Sequence, residues 1–274
     1  MTWLTEPLAY EFMQQAALIT CLIGAAAGAL SCLLVLKGWS LMGDAIAHAV
    51  LPGIVLAYLM NIPLILGAFA AGMICAGATG FLTDNSRVKP DTVMGVVFSG
   101  MFGLGVVMYA AIRTEVHLDH ILFGDMLGVT WGDVAETAVI AAVALGIVLA
   151  RRRDLLLFAF DAQHAKAVGL PTRLLHYGLL AVISLVVVGA LKAVGLILAI
   201  ALLIGPGAVA HLLTDRFDHM LAISMLTAVI SALAGIILSF HVGSAPAPTV
   251  VVVLTGLFVV TFLFAPKYGI LLRR

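Results

Sequence analysis

The chain has 274 residues, of which 63% are hydrophobic and only 10% charged, and its mean hydropathy is +1.19. An aqueous surface needs roughly a quarter of its residues charged, so a soluble domain of this size is excluded and the surrounding solvent has to be lipid. The 14 basic and 14 acidic side chains balance to zero net charge, which leaves no basic field to hold nucleic acid.

A bilayer core of about 30 Å takes roughly 20 helical residues to cross. Windows of that length predict eight or nine spans, near 12–36, 41–60, 64–83, 92–112, 131–150, 173–190, 194–213, 219–240 and 249–264. The expected fold is all-α, a polytopic helical bundle that forms one transmembrane domain over 1–274. The break at 190–193, around Lys192, is tight enough for one of the two segments beside it to be bent or re-entrant. Lys and Arg collect at Arg87 and Lys89, at Arg151, Arg152 and Arg153, at Arg216, and in the tail at Lys267, Arg273 and Arg274. With nine crossings these clusters share one side, the cytoplasm, which puts the N-terminus outside and the C-terminus inside. The first eleven residues hold Glu6 and Glu11 but no Lys or Arg, so the first apolar run reads as a retained span and not a cleaved signal. Cys21, Cys32 and Cys75 lie in apolar runs without C-x-x-C pairing and read as packing residues. Small residues four apart, such as Gly24 with Gly28 and the series Gly72, Ala76, Gly80, suit close helix approach in lipid.

Catalytic signatures are lacking. No Lys follows a Gly, so there is no P-loop, and H-E-x-x-H does not occur. Ser99, in Gly95-Val-Val-Phe-Ser99-Gly100, lacks the spacing of a nucleophile elbow.

The second span is different. Its stretch Gly43-Asp44-Ala-Ile-Ala-His48-Ala-Val-Leu-Pro52-Gly53 carries a carboxylate and an imidazole in otherwise apolar sequence, and ionisable groups at membrane depth are costly and functional by default. Four residues apart, Asp44 and His48 share a helix face and can present oxygen and nitrogen to one cation. Pro52 cannot donate to the His48 carbonyl, and with Gly53 it marks a helix break beside the pair. The alternative is a hydrated Asp44 at the cytoplasmic edge with His48 hydrogen-bonded to a neighbouring helix. A third ligand is sought in His241, at the outer end of the eighth predicted span; its alternative is an interfacial histidine in contact with water. The external group Glu115, His117, Asp119 and His120 has ligand types at usable spacing, and reads either as a metal-capture site or as a docking surface. In the seventh span Leu203-Ile-Gly-Pro206-Gly207 repeats the Pro-Gly theme of Pro52-Gly53, which marks a second expected break and a weak inverted repeat.

The longest cytoplasmic break contains Phe160-Asp161-Ala-Gln-His-Ala165-Lys-Ala-Val-Gly169-Leu-Pro171. Asp161 can cap a short helix, Ala165 and Gly169 fall four apart, and Leu-Pro closes it. The segment is either a contact face of small residues for another protein or an amphipathic connector.

At these residues the chain resembles the ABC-3 family, the integral-membrane permeases of bacterial ABC importers for manganese, zinc or iron. The Gly43 to Gly53 stretch is similar to the family's second-span signature. Asp91-Thr-Val-Met-Gly-Val-Val-Phe-Ser99, Leu122-Phe-Gly-Asp125, Val194-Gly-Leu-Ile-Leu198 through Pro206, and Phe264-Ala-Pro-Lys267 are similar to further landmarks in order. Lys37-Gly-Trp39-Ser-Leu-Met-Gly-Asp44 and Leu213-Thr-Asp-Arg-Phe217 look most like the manganese and chelated-iron subgroup. The resemblance implies a metal path through Asp44 and His48 with help from the penultimate span, which maps to His241. The family's acidic help on that span is missing, because 221–240 contains no Asp or Glu.

The resemblance also implies partners: a second permease copy or a paralogue, an extracytoplasmic metal-binding protein, and ATPase subunits that bind ATP and grip a coupling helix at about 158–171 through Asp161, Ala165, Gly169 and Pro171. No cofactor is expected in this chain, and Mn2+, or Fe2+ or Zn2+, is its cargo. Two rival readings use the same pair: a stand-alone proton-coupled carrier, with Asp44 and His48 as a relay, and a membrane enzyme, with them as acid and base.

Overall fold

The computed structural model describes residues 6–111, 124–265 and 269–271, and every regular element among them is helical. After a 3-10 turn at Pro7–Ala9 come α1 (Glu11–Lys37), α2 (Met42–Ala49), α3 (Leu51–Leu59), α4 (Leu64–Asn85), α5 (Pro90–Ala111) and α6 (Trp131–Ala150). There follow the short α7 (Arg152–Phe160) and α8 (Ala162–Ala167), then α9 (Thr172–Leu213), α10 (Phe217–Val242) and α11 (Pro246–Phe264). Eight stretches are long and apolar enough to cross a bilayer, with α2 and α3 counted as one and α7 and α8 excluded. α4, α5 and α11 are exposed on much of their apolar surface, as expected of helices whose outer face meets lipid.

At 42 residues α9 would be about 63 Å long if straight, twice the hydrocarbon thickness. It turns at Gly195, whose φ of 77° and ψ of 173° lie in a region that essentially only glycine occupies. Ser184 and Leu203 are 19 residues apart, about 28 Å along a straight helix. Yet Ser184 meets Gly72 alongside Ile46 of α2, while Leu203 meets Gly43, one turn away on that same helix. The chain therefore folds back, and α9 is two crossings, α9a (172–194) and α9b (196–213). Nine crossings result among the described residues, with the reversal two residues beyond the predicted break.

Contacts at the helix ends define two faces. At one, Lys37 meets Phe158, Trp39 packs edge-on against His176, and Arg152 pairs with Asp218 at 3.3 Å. At the other, Trp131 donates to Glu11 at 2.7 Å, Lys192 bridges Asp133 and Glu136, and Tyr10 packs on Phe240. Lys37 and the arginines at 151–153 and 216 gather at the first face, which is cytoplasmic by the positive-inside rule.

The core forms where α9 and α10 wrap around α1, burying Leu30, Leu33, Leu34, Ile183, Leu198, Leu202 and Ile236. Small residues set the spacing: Gly28 rests on α10 at Ser224, whose hydroxyl donates to the Gly28 carbonyl at 2.6 Å. The break expected at Pro206 and Gly207 does not occur, since α9b remains helical through both. Ser31 of α1 supplies the reason. Its hydroxyl accepts from the Gly207 amide at 2.9 Å and donates to the Ile204 carbonyl at 3.1 Å, which splices a side chain into the backbone beside the proline.

Candidate functional site

α1 ends at Gly38, whose φ of 71° lets the chain turn back at once. The chain then re-enters the bundle, and α2 starts below the cytoplasmic surface. Ile46, two residues past Asp44, abuts Gly72, which lies about 12 Å along α4 from Leu64 and about 20 Å from Asn85. Asp44 and His48 therefore flank the middle of the membrane and not its cytoplasmic edge.

On α2 the two side chains meet, with His48 Nε2 3.3 Å from Asp44 Oδ1. Asp44 lies in the first turn, where the helix N-terminus favours a negative charge, and His48 in the last. Their side chains keep 30% and 27% of their surface open, so both can reach a ligand. Two rings of α5 hold the imidazole: Phe98 stacks on it at 5.9 Å and Phe102 meets it edge-on at 5.3 Å. These two were not singled out from sequence. Their i, i+4 spacing on one face of the fourth span was the available signal.

The helix is interrupted at Val50, between α2 and α3, where Pro52 has no amide to offer the His48 carbonyl. Val50 itself keeps helical angles, so the axis continues. Pro52 and Gly53 are also wedged. A Cβ at Gly53 would fall on the Gly67 carbonyl of α4, one at Gly67 would fall on the Gly53 carbonyl, and one at Gly105 of α5 would meet the Pro52 ring.

His241 is not brought to this pair. It ends α10, with Nδ1 2.9 Å from its own Ile237 carbonyl and its ring 5.4 Å from Phe240. α10 packs on α1, α9 and α11, whereas α2 packs on α4, α5 and α9. The separation has a topological cause: α10 packs along α1, away from α2. Among the described residues no group of three His, Cys, Asp or Glu side chains is placed to hold a metal ion. Glu115, His117, Asp119 and His120 lie outside the described residues.

On the cytoplasmic face Asp161 caps α8 by accepting from the amides of Gln163 at 2.9 Å and His164 at 2.8 Å. The helix proper covers only 162–167, within the 158–171 expected. The small-residue face does not form: Ala165 is fully buried within the chain, and Gly169 lies beyond the helix with a φ of 85°. Pro171 ends the loop as the cap of α9. What the segment presents outward is apolar, with Phe160 67% and Val168 55% exposed.

Residues 9–265 match the ABC 3 transport family. The chain belongs to the ABC 3 transport family. It is 50% identical over 261 residues to the chelated iron transport system membrane protein YfeD of Yersinia pestis, covering 95% of this chain and 88% of that one. It is 48% identical over 272 residues to the manganese transport system membrane protein MntB of Synechocystis, covering 99% and 89%. Among solved structures, PsaBC from Streptococcus pneumoniae in complex with Fab superposes with a TM-score of 0.88 at 32% identity, covering 97% of this chain and 96% of that one. As an ABC 3 transport protein the chain is a multi-pass permease of the bacterial inner membrane, and the resemblance read from its motifs holds.

Proposed function

We propose that this permease carries a divalent transition-metal cation inward, with Mn2+ first and Fe2+ or Zn2+ as further cargoes, as part of an ATP-binding-cassette importer. The observation that carries the reading is the Asp44–His48 pair at mid-membrane. Two ligands of one ion with bond lengths of about 2.1 Å, set 3.3 Å apart, subtend about 100° at the metal, between tetrahedral and octahedral values. A carboxylate and an imidazole without thiolate suit Mn2+ and Fe2+, although the same ligands bind Zn2+ more tightly. Two ligands hold an ion briefly, which transport requires; water or the second permease copy completes the shell.

The names of the relatives, one a manganese and one a chelated-iron transport protein, support manganese and iron as cargoes. ATP is bound by a separate ATPase subunit, since this chain has no P-loop, and that subunit docks at the exposed Phe160 to Val168 segment. An extracytoplasmic binding protein delivers the ion at the face of Trp131 and Lys192. The transport cycle exposes Asp44 and His48 alternately to the two sides.

The test is cellular Mn, Fe and Zn content by elemental mass spectrometry in an uptake-deficient host. The chain is expressed with its ATPase and binding protein, beside Asp44→Ala and beside a host without the ATPase. One metal should accumulate only when Asp44 and the ATPase are both present. Accumulation without the ATPase would replace the importer with a proton-coupled carrier.

A further inference from the structure

α6 leaves the membrane at Ala150 and α10 enters it at Phe217, and the two ends meet in a cleft of about 460 Å³ on the cytoplasmic face. Arg152, Arg153, Arg216 and His219 line it. These groups come from segments some sixty residues apart, brought together by the fold. Concentrating three guanidinium groups around one hollow costs repulsion. Asp218 is the only carboxylate in the lining among the described residues, and it pairs with Arg152 at 3.3 Å. Among the described residues Arg153 and Arg216 enter no ion pair. Arg151, by contrast, is paired outside the cleft with Asp154 at 3.1 Å.

The backbone adds to the same field. The N-termini of α7 and α10 both lie among these lining residues, and neither carries a side-chain cap, so first-turn amides lie beside the arginines without a side-chain acceptor. The rest of the lining is Leu156 and Phe217, both half-buried. A hollow that is cationic at the rim and apolar beside it, at the height where two spans end, matches an amphiphile with a phosphate head. A free phosphate would make no use of Leu156 and Phe217.

We infer that this cleft binds the phosphate of an anionic phospholipid of the cytoplasmic leaflet, with Arg153 and Arg216 as its principal partners. The placement in that leaflet rests on the orientation of the permease described above, whereas the readout below involves no metal and no transport. The phosphate bridges α7, which leads into α8, and α10, so the lipid ties the cytoplasmic segment to the bundle.

The experiment uses the full chain, purified in mild detergent and exposed to equal amounts of phosphatidylglycerol and phosphatidylcholine, with bound lipid counted by native mass spectrometry. The wild type should retain phosphatidylglycerol in preference. Arg153→Gln with Arg216→Gln should bind it about thirtyfold more weakly, while Arg151→Gln should match the wild type. A photoactivatable phosphatidylglycerol should label peptides containing 152–156 and 216–219 of the wild type, which tests the site without any variant. Equal retention of both lipids by the wild type, or labelling confined to other peptides, would overturn the assignment. Inorganic phosphate at millimolar concentration should leave the lipid in place. If phosphate displaces it fully, the site reads free phosphate and the lipid assignment fails.

Discussion

Lys37 Nζ donates to the Phe158 carbonyl at 3.2 Å and sits 3.8 Å from the centre of the Phe158 ring. The same ammonium lies 4.9 Å from the ring of Trp39. One cation thus joins the end of α1, the turn leading to Asp44, and the helix leading to the cytoplasmic α8. Cation–π contacts of this kind contribute about 0.5–2 kcal/mol each, which ties the three segments to one another. Lys37→Met keeps the apolar stem and removes the charge. It should insert and bind the ATPase normally, yet lower metal uptake about tenfold while ATP hydrolysis continues, measured side by side in proteoliposomes.

Phe102 meets the His48 ring edge-on, a contact of about 0.5–1.5 kcal/mol. Phe102→Ala should reduce uptake by about two- to tenfold without changing expression, whereas Phe102→Tyr, which retains the ring, should stay near the wild type. Radiolabelled manganese uptake over the first minute distinguishes them.

At Gly53 and Gly67 each residue faces the other's carbonyl with no room for a methyl group. Overpacking costs about 1–3 kcal/mol, and here rigid backbone is what would have to give. Gly53→Ala and Gly67→Ala should each lower the thermal aggregation midpoint in detergent clearly. Gly95→Ala, with open space around it, should leave the midpoint unchanged.

The reversal at Gly195 depends on a backbone conformation closed to side chains. Gly195→Ala should cost about 1–3 kcal/mol and reduce the folded yield on gel filtration. Alanine at Gly178, which has open space around it and no positive φ, should be neutral or mildly stabilising because helix propensity improves.

Phe160 and Val168 leave apolar surface on the cytoplasmic face that water does not favour. Phe160→Asp combined with Val168→Asp should abolish copurification of the ATPase while insertion remains normal. Undiminished copurification would remove this segment from the docking surface.

How much of this was readable depended on whether the signal was local. Long apolar windows revealed the spans, and the four-residue spacing of Asp44 and His48 gave their contact. Asp161 announced its helix because a capping carboxylate acts on amides two and three residues away. Position 195 was harder, because 178–210 carries no charged residue except Lys192, and the decisive quantity was a single backbone angle. Phe98 and Phe102 offered only their i, i+4 spacing, a weak signal because aromatic residues on a lipid-bathed helix contrast little with their apolar neighbours. His241 joins Asp44 on ligand chemistry and on the resemblance to the family's penultimate span, and only knowledge of which helices pack together separates them. Pro206 looked like a break because Ser31, the residue that repairs it, lies 175 positions earlier in the chain.

That repair has a mechanical side. Where Ser31 bonds to Gly207 and Ile204, the backbones of α1 and α9b touch so closely that a methyl group on Gly207 would overlap Ser31. Sliding one helix along the other would tear both hydrogen bonds from a buried hydroxyl that has no water to replace them. Rotation about the crossing keeps them. The joint therefore fixes the register of α1 against α9b at a point between the Gly195 reversal and the cytoplasmic face.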